Sequence, residues 1–196
     1  MQMSVEINLS GEHTVNLDEQ ALLAKAARYQ VSSTQDKIRK TTSPGNAPLT
    51  RAIKGSGLPL RDTGSLLSSI TYKVEGDRAI VGTNRQGARL NQEGGVIIPK
   101  KGQWLWIPAS RSIRSQLRSY GGSITRLIQS YKSNGSYIYK KGGAFFARAK
   151  GKGGRETMLF ILKKQVTIPA RPFLYFSTED VAIIEKMLGG TIEKSS

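Results

Sequence analysis

Apolar residues at helical spacing predict a long amphipathic helix near the start of the chain. The Ala- and Leu-rich run over residues 18–40 repeats apolar positions three and four residues apart. Its predicted buried face consists of Leu22, Ala26 and Tyr29, with Leu23 and Ala27 beside them. Asn16 to Glu19 reads as a capping box at the beginning of this helix. A loop with two prolines and a glycine follows, and a shorter helix is expected after it.

After this helical part the period of the pattern changes to two residues. Residues 70–74 and 79–83 alternate on either side of a Gly-Asp turn, which predicts a β-hairpin. Further short strands are expected at residues 96–98, 103–107, 157–162 and 165–168. The pattern therefore predicts antiparallel strands in the middle of the chain.

Residues 166–176, Val-Thr-Ile-Pro-Ala-Arg-Pro-Phe-Leu-Tyr-Phe, predict a stiff extended corner. Two prolines bracket Ala-Arg171, and each proline fixes φ and removes a backbone donor. Ser177 then reads as the N-cap of a helix with acids in its first turn and an apolar run over 181–188. Gly189-Gly190 is expected to stop this helix. Strand, corner and capped helix together form one architectural unit.

Charge is distributed unevenly along the 196 residues, whose net charge is +16. No acidic residue occurs between Glu93 and Glu156, and thirteen basic residues lie in that interval. Residues 109–155 combine this charge with glycine and aromatic residues, and Gly121-Gly122 interrupts their helical spacing. We therefore expect one domain formed by 1–108 and 156–196. Residues 109–155 are interpreted as an insertion between strands that is partly ordered at best.

The search for catalytic chemistry gives little. His13 is the single histidine and lies in a polar turn, and the chain has no cysteine. Asp62 and Glu93 are isolated carboxylates, better interpreted as a cap and a loop anchor than as a catalytic pair. No cofactor or metal site and no enzyme activity are predicted. The N terminus lacks the features of a signal peptide, and no apolar run is long enough to span a membrane.

The basic residues allow two interpretations. Interleaved with tyrosine and phenylalanine, they suit phosphate contact with base stacking. Alternatively, they form a solvated face or meet an acidic protein, which we favour because no nucleic-acid module accompanies them. The candidate contact residues are Lys100, Lys101, Arg111, Arg114, Arg118, Arg126, Lys132, Lys140, Lys141, Lys150, Lys152 and Arg155. Trp104 and Trp106 share one strand face, expected to pack in the core or against another subunit.

Three separated segments carry motifs of one known family. Residues 60–70, Leu-Arg-Asp-Thr-Gly-Ser-Leu-Leu-Ser-Ser-Ile, follow the pattern L-x-x-T-G-x-L-x-x-S-I. Residues 81–84, followed by 88–95, resemble the pattern V-G-T-N … Y-A-x-I-H-Q-x-G-G, and 168–174 match I-P-A-R-P-F-L. In order and spacing these segments resemble the phage virion morphogenesis family, the tail completion proteins similar to the G protein of phage Mu. The resemblance leaves the basic insertion largely unmatched. Two departures are Gly87 for the usual tyrosine and Asn91 for the usual histidine.

The resemblance implies an α+β fold, with N-terminal helices packed on a small antiparallel sheet and a C-terminal helix. It implies a structural protein of the virion, assembled in the host cytoplasm, that acts at the head–tail junction in tail completion or head joining. Its expected partners are further copies in a ring, expected to be hexameric, together with neighbouring neck and tail proteins and packaged DNA; a membrane is not among them. The alternatives are a nucleic-acid-binding protein that uses 109–155 and a hydrolase that uses Asp62 or Glu93.

The matching motif residues are implied to be structural, and the loss of the family's histidine favours a structural role for the loop at Asn91. Arg171 is implied to bond backbone carbonyls or a carboxylate across the corner. The motif residues are Thr63, Gly64, Leu66, Gln92, Gly94, Gly95, Pro169, Arg171, Pro172 and Phe173.

Overall fold

The protein combines helices with antiparallel sheets, which confirms the α+β fold expected from the sequence. A computed structural model describes residues 3–8, 17–54, 57–150 and 153–188. The predicted capping residue Asn16, His13, Lys152 and the predicted helix stop at Gly189 lie outside these described residues.

The helices and strands follow one another in a mixed order along the chain. The helices of the described residues are α1 (Leu17–Lys40), α2 (Pro48–Lys54), α3 (Ser65–Ser68), α4 (Ala88–Glu93), α5 (Arg111–Ser119), α6 (Ile124–Ser133) and α7 (Thr178–Leu188). The strands are β1 (Met3–Asn8), β2 (Thr71–Glu75), β3 (Arg78–Thr83), β4 (Gly95–Ile97), β5 (Leu105–Pro108), β6 (Ser136–Lys141), β7 (Ala144–Ala149), β8 (Glu156–Lys163) and β9 (Val166–Ile168).

The chain folds into two compact units. Unit 1 consists of Met1–Pro44, Leu58–Gly95 and Pro169–Ser196, and unit 2 consists of Gly45–Gly57 and Val96–Ile168. Unit 2 is thus larger than the insertion expected at 109–155, because it also includes the flanking strands β5 and β8. Both strands belong to the same sheet as the strands of the expected insertion.

Unit 1 contains a three-stranded antiparallel sheet in the order β1-β3-β2. The predicted hairpin is confirmed as β2 and β3, with Gly76 at a positive φ of 57° in its turn. Gly82 is required in β3, since a Cβ there would stand 2.1 Å from the carbonyl oxygen of Met3. Strand β1 can therefore approach the centre of this sheet closely.

Helix α1 covers the hydrophobic core of unit 1. Its buried side chains include Leu23, Ala27 and Ile38, which join Val81 of the sheet in one cluster. Leu22, expected at the centre of the buried face, is 37% exposed. The buried face of α1 is therefore rotated by about one residue from the predicted face, toward Leu23 and Ala27.

Unit 2 contains a four-stranded antiparallel sheet in the order β5-β8-β7-β6 and a two-stranded sheet of β4 and β9. Helices α5 and α6 precede β6, and each has a serine N-cap, Ser110 and Ser123, whose side chain accepts a backbone hydrogen bond. Gly121 and Gly122, both at positive φ, separate these helices. The sequence indicated helical spacing with this interruption, but residues 109–155 form more regular structure than the partly ordered insertion that was expected, because α5, α6, β6 and β7 lie within them.

The two faces of the four-stranded sheet carry different side chains. Leu159 of β8 is buried in a cluster with Ile113 of α5 and Leu127 of α6. Phe160 belongs to the same buried cluster, because a β-bulge in β8 breaks the alternation between Leu159 and Phe160. It contacts Trp106, whose ring centroid lies 5.6 Å from its own. One face is thus packed against the helices, and Tyr137, Tyr139 and Phe146 lie on the other.

Candidate functional site

Two motifs that are far apart in sequence meet through the side chain of Gln92 in unit 1. Its Oε1 accepts hydrogen bonds from the backbone N–H groups of Phe173 and Leu174, at 2.9 and 3.0 Å. Its Nε2 donates to the carbonyl oxygen of Leu174 at 2.9 Å. One amide thus satisfies three backbone groups of an extended segment that has no neighbouring strand to pair with. The glutamine of the N-Q-E-G-G segment therefore holds the I-P-A-R-P-F-L segment in place by hydrogen bonds.

Arg171 makes a second set of contacts at the same junction. Its backbone N–H donates to the carbonyl oxygen of Asn91 at 2.7 Å, and its Nε donates to the carbonyl oxygen of Pro44 at 2.7 Å. The residue is only 7% exposed, and burial lowers the pKa of its guanidinium. Arg171 therefore links the corner to two loops of unit 1 through backbone carbonyls.

The two departures from the family pattern contact each other. Gly87 adopts a φ of 83° immediately before α4, a conformation that favours glycine over other residues. The Nδ2 of Asn91 donates to the carbonyl oxygen of Gly87 at 3.0 Å. Asn91 therefore secures the first turn of α4 with its side chain and holds Arg171 with its backbone. Neither contact involves catalytic chemistry.

The remaining motif residues also lie in unit 1 and shape its backbone or core. Leu66 and Phe173 are buried in the same hydrophobic cluster, whereas Pro169 and Pro172 lie at the exposed side of the corner. The hydroxyl of Thr63 is 2.5 Å from that of Ser65. The motif glycines adopt positive φ, and they are Gly64, Gly94 and Gly95. The structure thus brings 92 and 171–174 together, with Leu66 sharing their core.

A buried carboxylate that sequence analysis treated only as a helix-start signal organises the contact between α1 and α7. Asp180 accepts hydrogen bonds from Ser33 Oγ at 2.6 Å, Lys37 Nζ at 2.5 Å, the backbone N–H of Ser177 at 2.8 Å and the hydroxyl of Tyr29 at 3.3 Å. Burial alone raises the pKa of Asp180, but the hydrogen bonds from Lys37, Ser33 and Ser177 outweigh it and lower the pKa to about 2. The i, i+4 spacing of the three α1 residues was the available sequence signal.

We expect Gln92→Leu to lower the free energy of unfolding by about 2–3 kcal/mol, because it leaves the N–H groups of Phe173 and Leu174 without their acceptor. Urea denaturation followed by circular dichroism measures the change. The matched control is Gln20→Leu on the exposed side of α1, expected within about 0.5 kcal/mol of wild type. Equal stability of Gln92→Leu and wild type would contradict the role of Gln92 in holding the I-P-A-R-P-F-L segment.

The net positive charge of the protein lies in unit 2. Unit 1 carries 13 lysines and arginines and 13 aspartates and glutamates, whereas unit 2 carries 17 basic residues and one acidic residue. That single carboxylate, Glu156, accepts a hydrogen bond from the hydroxyl of Tyr139, which raises the pKa of Tyr139 to about 12. The whole net charge of +16 therefore belongs to one folded unit.

The candidate contact residues spread over several elements of unit 2. Arg111, Arg118 and Arg126 are exposed on α5 and α6, and Arg114 is half-buried. The other exposed ones are Lys100, Lys101, Lys132, Lys140, Lys141, Lys150 and Arg155, in loops, at the end of α6 and in β6. The structure thus places them on a common folded unit rather than on an unstructured loop.

The described residues offer little for catalysis. Among them, no group of three or more histidine, cysteine, aspartate or glutamate side chains is placed to hold a metal ion. Glu93 pairs with Arg89 on the exposed side of α4, with 2.7 Å between Nε and Oε2. Asp62 lies in the exposed loop before α3. None of the helices in the described part of the chain is long and apolar enough to cross a membrane.

Comparison with known proteins gives one informative relative. The sequence matches no family model, and no solved structure is similar to it at a significant level. The chain is 31% identical over 112 residues to the Mu-like prophage FluMu G protein 2 of Haemophilus influenzae, an alignment that covers 55% of this chain and 80% of the relative. With identity at this level over most of the relative, the chain belongs to the phage protein family of this Mu-like prophage G protein.

Proposed function

We propose that this protein is a non-catalytic structural component of a tailed phage that acts at the head–tail junction. It completes the tail or joins it to the head as an oligomeric ring, with a hexamer as the expected form. The observation that carries the proposal is the relationship to a Mu-like prophage G protein. It is supported by the motif residues, which make internal contacts in unit 1 and hold no reactive group exposed in a cleft.

An exposed apolar strand suits contact between copies of the chain. Val96 and Ile98, in and immediately after β4, are 54% and 63% exposed, and Ile97 between them is also exposed. Strand β4 belongs to a sheet of only two strands, so its backbone offers an edge to which a further strand can add. In the proposed ring this segment contacts the neighbouring subunit, which removes its apolar side chains from water.

The basic unit suits an anionic partner within the same particle. Its charge of 17 basic residues against one acidic residue repels itself unless it is solvated or neutralised. In the proposed assembly, unit 2 contacts an acidic surface of a neighbouring neck or tail protein, or the packaged DNA. A second candidate function follows from the same observation: the chain binds nucleic acid as its principal activity, and unit 2 is the binding surface.

Mass measurement under native conditions, with and without purified tail tubes, tests the ring. We expect a hexamer on tail tubes, and we expect Val96→Lys/Ile98→Lys to abolish it together with tail completion. Ile183→Lys on α7 is the matched control, since Ile183 is an exposed apolar residue outside this strand. A strictly monomeric protein in assembled particles contradicts the proposal. A monomer that binds arbitrary duplex DNA with a steep salt dependence supports the second candidate instead.

A further inference from the structure

The face of the four-stranded sheet that points away from α5 and α6 carries apolar side chains in register across its strands. Ala144 and Phe146 of β7 share this face, because side chains alternate along a strand. Phe146 pairs with Tyr139 of β6 and with Met158 of β8. Ala144 pairs with Ile161, beyond the bulge in β8. We name this surface the open face and define it by Tyr137, Tyr139, Phe146, Met158, Ile161 and Ile107.

The open face is exposed to solvent, whereas the alternate positions of the same strands are packed. Ile138 of β6 and Ala147 of β7 belong to the cluster that packs against α5 and α6. On the open face, Tyr137 is 45% exposed and Met158 is 41% exposed. The ring of Tyr137 lies 5.6 Å from that of Tyr139, its neighbour on this face. A contiguous apolar surface of this kind is typical of a contact site.

Positive charge borders the open face. Lys141, Arg148 and Lys163 are exposed at alternate positions of β6, β7 and β8, on the same side as the apolar residues. Glu156, the single carboxylate of unit 2, also lies on this side, where it accepts the hydroxyl of Tyr139. A molecule that covers the open face therefore meets an apolar centre and three cations at its margin.

This combination favours a protein partner of one kind. Nucleic-acid bases stack on ring faces, but Met158, Ile161 and Ile107 contribute no ring to the open face. Two copies of this chain placed face to face would bring their positive margins together, which is unfavourable. A segment with apolar side chains in its centre and carboxylates beside them matches both the centre and the margin of the open face.

We propose that the open face docks an amphipathic segment of another protein, whose apolar side chains cover the sheet and whose aspartates or glutamates contact the surrounding cations. This assigns the acidic partner of unit 2 to one face of its sheet, and it rests on the proposed function only in placing that partner in the phage particle. Arg111, Arg118 and Arg126 lie on the helices at the opposite side of the sheet and take no part in the contact.

The first test compares peptides of matched length. The full-length protein is titrated against a labelled helical peptide of about 18 residues, with leucines on one face and glutamates on the other, and binding is followed by anisotropy. Two control peptides carry serine in place of leucine or lysine in place of glutamate. We expect the amphipathic acidic peptide to bind about tenfold more tightly than either control, or better. Equally tight binding of the serine peptide indicates contact through charge alone and overturns the proposal.

The second test locates the contact on the sheet. Tyr137→Ser/Met158→Ser is expected to weaken peptide binding about tenfold or more, whereas Ile183→Ser in unit 1 stays within about twofold of wild type. Lys141→Glu and Lys140→Glu change the net charge equally at adjacent positions on opposite faces of β6. We expect about a two- to tenfold loss from Lys141→Glu alone. Equal losses from both lysine variants, or full binding by the double variant, contradict the assignment.

Controls separate this contact from nucleic-acid binding and from ring formation. Circular dichroism establishes that each variant is folded. Tyr137→Ser/Met158→Ser is expected to bind labelled oligothymidylate and duplex DNA as wild type does, and a parallel loss of peptide and nucleic-acid binding overturns the proposal. A wild-type protein that binds the peptide but forms no ring contradicts the proposed function alone. One that forms the ring without binding the peptide refutes the docking surface alone.

Discussion

Asp180→Asn is expected to lower the free energy of unfolding by about 3–5 kcal/mol, because it breaks a buried ion pair from one side. The carboxylate of Asp180 is almost fully buried, and the Nζ of Lys37 lies 2.5 Å from its Oδ2. An amide at this position carries no charge, and an NH2 group in place of Oδ2 is a donor that accepts neither from Lys37 nor from the backbone N–H of Ser177. The substitution therefore leaves a buried ammonium group without a counter-charge while changing the side-chain volume very little.

Two further variants identify the cause of this loss. Asp36→Asn removes an ion pair with Arg39 at a similar distance of 2.6 Å on the same helix, but both side chains are about half exposed. Its expected cost is at most about 0.5 kcal/mol, since solvent screens such a pair. Lys37→Met/Asp180→Leu replaces both charges by apolar groups and is expected to be more stable than Asp180→Asn alone. Chemical denaturation of the three proteins measures these differences. If Asp180→Asn costs no more than Asp36→Asn, the buried pair is not a main contact between α1 and α7.

The lowered pKa of Asp180 predicts how the free energy of unfolding depends on pH. The pKa of Asp180 is about 2 in the folded protein, below its value of about 3.9 in an unfolded chain. The unfolded state therefore binds the proton first as the pH falls, and the contribution present above about pH 4 is lost toward about pH 2. It amounts to about 2–3 kcal/mol, and Asp180→Asn should lack this part of the acid dependence. An identical acid dependence in both proteins would rule out this role.

Local signals in the sequence located most elements of unit 1. The N-cap Ser177 and the acids of the first turn predicted α7 correctly, and the structure adds that Ser177 Oγ accepts from the N–H of Asp180 while Asp180 accepts from the N–H of Ser177. The alternating pattern predicted the β2–β3 hairpin, and the prolines predicted the extended corner at Arg171. These features depend on neighbours within a few residues, so a single sequence contains their causes.

Long-range partners could not be obtained in this way. The hydrogen bonds of Gln92 reach residues more than 80 positions later, and the bond from Arg171 Nε to Pro44 spans 127 positions. The family resemblance indicated that these segments matter together, and the structure gives the contacts that join them. The amount of regular structure in residues 109–155 was underestimated for a related reason. Their glycines suggested a loop, but Gly121, Gly122 and Gly135 stand at positive φ between regular elements rather than within them.

Phe173→Ala is expected to destabilise unit 1 by about 3–5 kcal/mol, the cost of deleting a fully buried phenylalanine side chain. The ring belongs to the core cluster that contains Leu66, Ile184 and residues of α1. Its backbone N–H is held by Gln92 and is unaffected by the substitution, so the loss measures packing alone. Tyr175→Ala, two positions along the same segment but 43% exposed, is the control and should cost at most about 1 kcal/mol, chiefly through its contact with Lys37.

A graded series at Phe173 also decides whether the proline–arginine segment is a scaffold or a binding site. If it is a scaffold, the proposed tail-completion activity of Phe173→Leu, Phe173→Val and Phe173→Ala declines in the order of their stabilities and recovers at lower temperature, because the amount of folded protein limits assembly. If the segment instead contacts a partner, Phe173→Leu loses assembly while its unfolding transition remains close to that of wild type. The complete burial of the ring favours the first outcome, since a side chain without exposed surface in the free chain can reach a partner only after rearrangement of the core.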